Sequence, residues 1–360
     1  MPKICFTLIF LFFSFADLLA QKEIKNNNIS AEISNEIEAT ITAKSAKPFN
    51  GMVLISENGK VIYSKIIGFS DADKKTPLKQ NDQFVIGSIS KQITAVLVLQ
   101  EVEKRRLDLH IPIRKYLPNL AQTCADSVTT HHLLTHTHGI TALDKPLSFS
   151  AGTKYAYSQL GYELLSKIIE KTSGKSFEIL SNALFRKCKM ENSFHPITSL
   201  EGIIPYKNLV KGYTEQENGT LAFETKTMQN HVAAGSFIST TEDLILWNKN
   251  LHNGKLLSKK IYNTMITKQK NATREHPLFG KTDYGYGITI ENLTGKPSQN
   301  KLKLGQTGFA PGFVSMNYYY PEKKISVIVL CNVVWDSQDL KKAFYYHTEI
   351  LRILNKFVLN

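Results

Sequence analysis

The sequence predicts an α+β protein in which one antiparallel sheet is assembled from both chain ends, flanked by terminal helices, with a mainly helical lobe inserted between. Three observations carry this reading. Runs rich in β-branched and aromatic residues sit near the two ends, at 52–56 and 61–66 and again at 313–320 and 325–330. Stretches with helical periodicity or caps lie between them, at 88–105, 160–171 and 240–251. Each end also carries a hairpin signal, Asn58-Gly59 in one and Pro321-Glu-Lys-Lys324 in the other, which makes the pairing antiparallel.

In chain order, residues 1–20 combine Lys3, an apolar run from Ile4 to Phe15 and a small residue, Ala20, at a cleavage point. That is the pattern of a cleaved export signal, since Asp17 interrupts the run before it is long enough to span a bilayer, with an uncleaved anchor as the alternative. Residues 21–48 form a polar leader and a helix whose stripe is Ile29, Ile33, Ile37 and Ile41, stopped by Pro48. The main unit is assigned to 49–335. Further strands are expected at 284–290 and 302–306, and residues 336–360 supply a terminal helix packed on the sheet. No later apolar run is long enough for a membrane span, so no integral membrane segment is expected after signal cleavage.

Of the 360 residues 42% are hydrophobic and 21% charged, which excludes wholesale disorder. The net charge of +13 suits anionic surroundings such as cell-wall polymers, while scattered lysines and the lack of a nucleic-acid motif exclude a nucleic-acid partner. Three cysteines come after the signal, Cys124, Cys188 and Cys331. That is no disulfide framework, although a Cys124–Cys188 bridge is open in an oxidising compartment.

The chemistry centres on Gly87-Ser88-Ile-Ser-Lys91, a tight turn opening into a helix that is apolar on most sides. Ser88 is expected at the helix N-terminus, where free N–H groups favour developing negative charge, and Lys91 on the same face three residues on. By itself S-x-x-K is weak, because a Ser cap with a surface Lys is commonplace. It gains weight from stretches further along the chain: His132-Leu-Leu-Thr-His-Thr-His-Gly139, then Tyr157-Ser158-Gln159, then Gly305-Gln306-Thr307-Gly308-Phe309, with Ala234-Gly-Ser-Phe-Ile between the last two.

In this order the motifs resemble those of the serine β-lactamase and penicillin-binding-protein superfamily, in particular the branch of class C β-lactamases, D-alanyl-D-alanine carboxypeptidases and related esterases. The resemblance runs from Phe49 to Asn332. It implies a β-lactamase/transpeptidase-like fold and an exported, periplasmic or secreted, serine hydrolase that needs no cofactor or metal. By that resemblance Ser88 is the nucleophile, Lys91 its base and Tyr157 the proton shuttle. The backbone N–H groups of Ser88 and Phe309 form the oxyanion hole, and Gln159, Gln306, Thr307 and Gly308 bind substrate.

The substrate is expected to be a small molecule or peptide, cell-wall derived, with a scissile ester, amide, β-lactam or D-Ala-type bond. The alternative is a catalytically weak binder or sensor of cell-wall fragments. Two positions depart from the family pattern. Gln159 stands where Asn is usual, and Gln306 where Lys or His is usual. The second change removes a charge that would bind a substrate carboxylate, so carboxylate-bearing substrates are expected to bind less well.

Three features receive plain readings. His132, His136 and His138 lack the Glu of a zinc-protease motif and read as a structural turn beside the cleft. Tyr155 and Tyr162 read as packing. Tyr318, Tyr319 and Tyr320 are expected to alternate between core and solvent. The loop-rich regions 176–230 and 265–300 form the cleft walls and carry no readable motif.

Overall fold

The computed structural model describes residues 31–120, 123–196, 206, 208–224, 231–295 and 301–359, so the expected signal sequence, Ile29 and the expected polar leader lie outside the described residues. Helix α1 (Ala31–Thr42) presents Ile37 and Ile41, both buried, to the rest of the molecule. Strands β1 (Gly51–Glu57) and β2 (Lys60–Ile67) form the first hairpin, and Asn58 and Gly59 at its tip both take positive φ, as a tight two-residue turn requires.

The remaining strands of the main sheet all come from the last quarter of the chain: β3 (Thr273–His276), β4 (Gly280–Tyr284), β5 (Thr289–Asn292), β6 (Leu302–Ala310), β7 (Phe313–Tyr320) and β8 (Ile325–Cys331). The eight strands lie in the order β2-β1-β8-β7-β6-β5-β4-β3, so the two chain ends meet where β1 pairs β8 antiparallel across Met52–Leu330 and Leu54–Ile328. This is the sheet expected from the sequence.

Two apolar clusters sandwich it. One includes Ile37, Val53, Val314, Tyr318, Val327 and Ile350 and joins the sheet to α1 and the C-terminal helix (Tyr345–Leu359). The other includes Leu54, Ile93, Leu165, Phe237, Trp247 and Ile328 and joins the opposite face to the inserted lobe. Coverage on both faces corrects the expectation for the three tyrosines. Tyr318 and Tyr320 do face the terminal helices, but Tyr319 turns to the lobe and stacks on His252 at 4.1 Å instead of meeting solvent.

The helix α2 (Ser90–Glu103) runs through the lobe with eleven of its residues buried, among them Ile93, Val96, Val98 and Leu99. Burial of each such side chain contributes about 1.5–3 kcal/mol, enough to fix a helix with no polar face. Helices α3 (Gln159–Ser173) and α4 (Thr241–His252) pack nearby. The side chains of Ser158 and Thr240 cap their N-termini, and Gly174 in the left-handed region ends α3.

One expectation is corrected by the fold and one open possibility is closed. The strand expected at 284–290 is broken by a turn at Gly285-Tyr286-Gly287, because Gly287, at φ +72°, passes so close to α2 that a Cβ would lie 2.6 Å from the Lys91 carbonyl oxygen. Cys188 is a free, buried thiol, so the Cys124–Cys188 bridge is absent. Cys188 ends a helix (Phe177–Lys187) within the stretch expected to be loop-rich, and its sulfur is used for core packing.

Candidate active site

Ser88 lies one step earlier than a helix cap would. Gly87–Ile89 is a single 3-10 turn that leads directly into α2. The turn is pinned from three directions. The Ile86 N–H donates to the Phe237 carbonyl at 3.0 Å, the Ile86 carbonyl accepts from Ser315 Oγ at 2.8 Å, and Ser90 Oγ accepts from the Phe237 N–H at 3.2 Å. Gly87 takes φ +54°, and a Cβ there would stand 2.6 Å from the Phe309 nitrogen and 2.7 Å from Gly308 Cα. Only glycine lets β6 come this near to the serine turn, with the Phe309 nitrogen against the Gly87 position.

The Ser88 hydroxyl touches two groups. Tyr157 donates to it at 2.6 Å, and Lys91 Nζ lies 3.2 Å away. Lys91 is fully buried and has two further oxygen neighbours, Gln159 Oε1 at 2.5 Å and the Ala234 carbonyl at 2.6 Å. The Ala234-Gly-Ser-Phe-Ile motif thereby acquires a physical role: with the residue before it, it lines α2 with carbonyls, Ala234 for Lys91 and Ala233 for Thr94 Oγ1 at 2.7 Å. The extra methylene of Gln159 does not separate its amide from Lys91.

Burial holds the Lys91 ammonium well below its ordinary value, reinforced by the positive charge of Arg274 and opposed by Glu163. Burial likewise raises the Tyr157 phenol, against the Ser88 hydrogen bond and Arg274, so it is a proton donor in the resting site. Glu163 follows Gln159 by one helical turn, and burial pushes its carboxyl up to about 7 against the pull of Lys91 and Lys167.

Gln306, Thr307 and Gly308 lie on β6, but they point to different places. Gln306 is completely buried and donates from Nε2 to the Tyr284 hydroxyl at 3.3 Å. Thr307 alternates to the other face, where its hydroxyl lies 3.4 Å from His276 Nε2. Gly308 packs against the Gly87 turn. Strand β5 pairs β6 only from Leu302 to Gly305, so β5 leaves the Gln306–Phe309 edge unpaired on that side.

The three histidines serve local structure. His132 Nδ1 accepts the Thr129 N–H, and His138 Nδ1 accepts the Ile140 N–H. His136 accepts the Ser158 N–H at 3.2 Å and wedges its ring against Tyr157, Tyr162 and Tyr284 at 4.4–5.2 Å, which orients the tyrosine loop from below. Among the described residues no group of three or more His, Cys, Asp or Glu is placed to hold a metal ion. Sequence reasoning missed Glu163, Tyr284 and Arg274. Arg274 lies on β3 with its guanidinium 4.6 Å above the Tyr157 ring. Glu163 was within reach, because it stands four residues after Gln159 on a helix already expected there.

A buried lysine and a tyrosine on one serine hydroxyl, beneath the edge of an antiparallel sheet, form an arrangement of the kind found in serine hydrolases of the β-lactamase type. The chain belongs to the β-lactamase family, whose model, Beta-lactamase, matches residues 37–352. It is similar to the teichoic acid D-alanine hydrolase of Staphylococcus aureus (strain MRSA252), 26% identical over 319 residues that cover 82% of this chain and 74% of the relative. It is also similar to the putative penicillin-binding protein PbpX of Bacillus subtilis (strain 168), 25% identical over 357 residues, 94% of this chain and 81% of the relative. Among solved structures, the octameric penicillin-binding protein homologue from Pyrococcus abyssi superimposes with a TM-score of 0.70 at 26% identity, covering 84% of this chain and 73% of that one. The D-amino acid amidase from Ochrobactrum anthropi SV3 has a TM-score of 0.75 at 19% identity over 91% and 99%, a likeness of fold.

Proposed function

We propose that this protein is an exported serine hydrolase that works through a Ser88 acyl-enzyme on an ester or amide bond of a small, D-aminoacyl, cell-wall-derived compound. The observation that carries the chemistry is the placement of Ser88 Oγ between Tyr157 OH at 2.6 Å and Lys91 Nζ at 3.2 Å. A neutral amine has two N–H bonds and one lone pair. The two carbonyl oxygens of Gln159 and Ala234 can only accept, so they take the two N–H bonds and leave the lone pair facing the serine proton. Burial, which lowers the Lys91 ammonium well below its ordinary value, favours that state.

The steps follow from this arrangement. Ser88 passes its proton to Lys91 as Oγ bonds to the substrate carbonyl carbon, and the carbonyl oxygen takes up negative charge beside the Ser88 and Phe309 N–H groups. When the bond to the leaving group breaks, Tyr157 protonates the departing atom and recovers its proton from Lys91. Water then attacks the acyl group and gives up its proton by the reverse route, which releases the acid and restores Ser88.

Support for the substrate class comes from the relatives, named for D-alanine hydrolysis on teichoic acid and for penicillin binding. Export rests on the pattern of residues 1–20, and no helix among the described residues is long and apolar enough to cross a membrane. The test is direct. The protein is incubated with a fluorophosphonate and with a labelled penicillin, weighed, and assayed on D-alanyl esters beside Ser88→Ala. A Ser88-dependent adduct with ester turnover is expected; an unlabelled, inactive protein refutes the reading.

A further inference from the structure

We propose that Glu163 is a positioning residue for the reaction: from one turn along α3 its carboxylate faces Lys91 and stabilises the ammonium that forms when Lys91 takes the Ser88 proton. This rests on the acyl-enzyme reading above and supplies the counter-charge that reading leaves unassigned.

The placement follows from helix spacing. Gln159 opens α3 with its Oε1 on Lys91 Nζ, and Glu163, four residues on, shares its face of the helix. The Glu163 Oε1 is buried with no hydrogen-bond partner among the described residues. On its other side stands His231, whose Nδ1 lies 3.8 Å away, too far for a hydrogen bond. His231 leads into the short helix Val232–Gly235, which gives Lys91 the Ala234 carbonyl. The carboxyl oxygen is thus enclosed between the two helices that hold Lys91. A buried carboxyl oxygen without a donor costs stability, and α3 has no need of it as a cap, since Ser158 already serves.

Acylation creates the charge that this oxygen faces. The Ser88 Oγ–H bond breaks, an Nζ–H bond forms, and a neutral amine becomes a cation at a fully buried position. Of the charged groups acting on Lys91, Arg274 on β3 disfavours the cation and Glu163 favours it. The remaining neighbours bring no compensating charge. Tyr157 and Tyr162 present their rings 4.7 and 5.4 Å from Nζ, and burial keeps both phenols protonated. Burial likewise keeps His136 uncharged, and Gln159 and Ala234 offer only carbonyl dipoles. Around Glu163 itself the charged or titratable groups are Lys91, Lys167 one turn further along α3, and His231. Glu163 neither gains nor loses a proton in the step; it acts through its field.

The signature is a ratio of rates that depends on pH. The Glu163 carboxyl gives up its proton at about 7, so below that it is as neutral as a glutamine and above it carries the stabilising charge. The rate constant for fluorophosphonate labelling of Ser88 is measured by mass from about pH 5.5 to about pH 8.5 in the unsubstituted protein, Glu163→Gln and Glu163→Asp. We expect the unsubstituted protein and Glu163→Gln to react equally at the acid end. At the alkaline end the variant should be about tenfold slower, which corresponds to one pKa unit of ammonium stabilisation. Glu163→Asp, with its carboxylate one methylene further from Lys91, should show a smaller ratio that also rises with pH. A ratio that stays flat with pH overturns the proposal, because Glu163 would then serve structure alone. Should Glu163→Gln fail to fold, as read by circular dichroism, the pH dependence of the Glu163→Asp ratio decides in the same way. Failure of the acyl-enzyme reading shows up separately, as absence of a Ser88 adduct on the unsubstituted protein at every pH.

Discussion

Replacing Gly87 by alanine adds one methyl group at the point where the serine turn meets β6, and its effect can be worked out from distances. The new Cβ would lie 2.6 Å from the Phe309 nitrogen and 2.7 Å from Gly308 Cα, whereas ordinary contact begins at 3.4 Å. Both neighbours are backbone atoms of a paired strand, so β6 must retreat by about 0.8 Å or the turn must rotate. Oxyanion donors act at 2.7–3.1 Å, and loss of one such donor lowers kcat by roughly 10²–10³-fold. We therefore expect Gly87→Ala to lose about that much ester turnover and to react correspondingly slowly with fluorophosphonate.

The left-handed φ of +54° adds about 1–2 kcal/mol of backbone strain, which would lower stability whatever happens at the site. Gly254→Ala separates the two effects, since Gly254 has φ +72° with nothing within 4 Å of its Cβ position. It should lose comparable stability and keep full turnover. The assay is p-nitrophenyl ester hydrolysis beside a urea titration of each variant. Turnover in Gly87→Ala within threefold of the unsubstituted protein would refute the placement of Phe309 N–H in the oxyanion hole.

Three other outcomes rest on the same geometry. Lys91→Met removes the base while keeping its volume, so kcat/KM for esters should fall by about 10²–10⁴-fold; a fall below tenfold, with folding confirmed by circular dichroism, would remove Lys91 from the mechanism. Glu163, with its carboxyl raised from 4.5 to about 7, favours the folded state most below about pH 4.5, and this contribution fades as pH rises through 7. The full swing is at most about 3.4 kcal/mol, so Glu163→Gln should gain stability relative to the unsubstituted protein at pH 8 but not at pH 4.5. Equal differences in urea midpoint at both pH values would contradict this. Gly287→Ala would set a Cβ 2.6 Å from the Lys91 carbonyl and 2.7 Å from Ala95 Cβ, and should cost about 1–3 kcal/mol by urea titration; a neutral substitution would mean that α2 can yield there.

The gathering of Ser88, Lys91 and Tyr157 was legible in the sequence because each sits in a local motif whose spacing a turn or helix fixes. The sheet was legible because alternating apolar runs at both chain ends need one another for burial. Arg274 was not legible. Its strand is four residues long, carries charges on consecutive positions and lies 32 residues before Gln306, so only the folded hairpin brings it to Tyr157. The burial of all three of Tyr318, Tyr319 and Tyr320 was not legible, because period-two alternation says which residues share a face but not what covers that face. The break at Gly287 was hidden inside an apolar run and comes from a close approach between elements almost 200 residues apart.

The joining of both chain ends in one sheet also governs when the site comes into being. Ser88, Lys91 and Tyr157 all precede residue 160, yet the serine turn leans on Gly308, Phe309 and Ser315, and the Ser315–Ile86 hydrogen bond spans 229 positions. A growing chain would display Ser88, Lys91 and Tyr157 long before it has the strand against which they are aligned. Their alignment would then arrive with the last quarter of the polypeptide, so that the cluster is set only once the whole chain has folded.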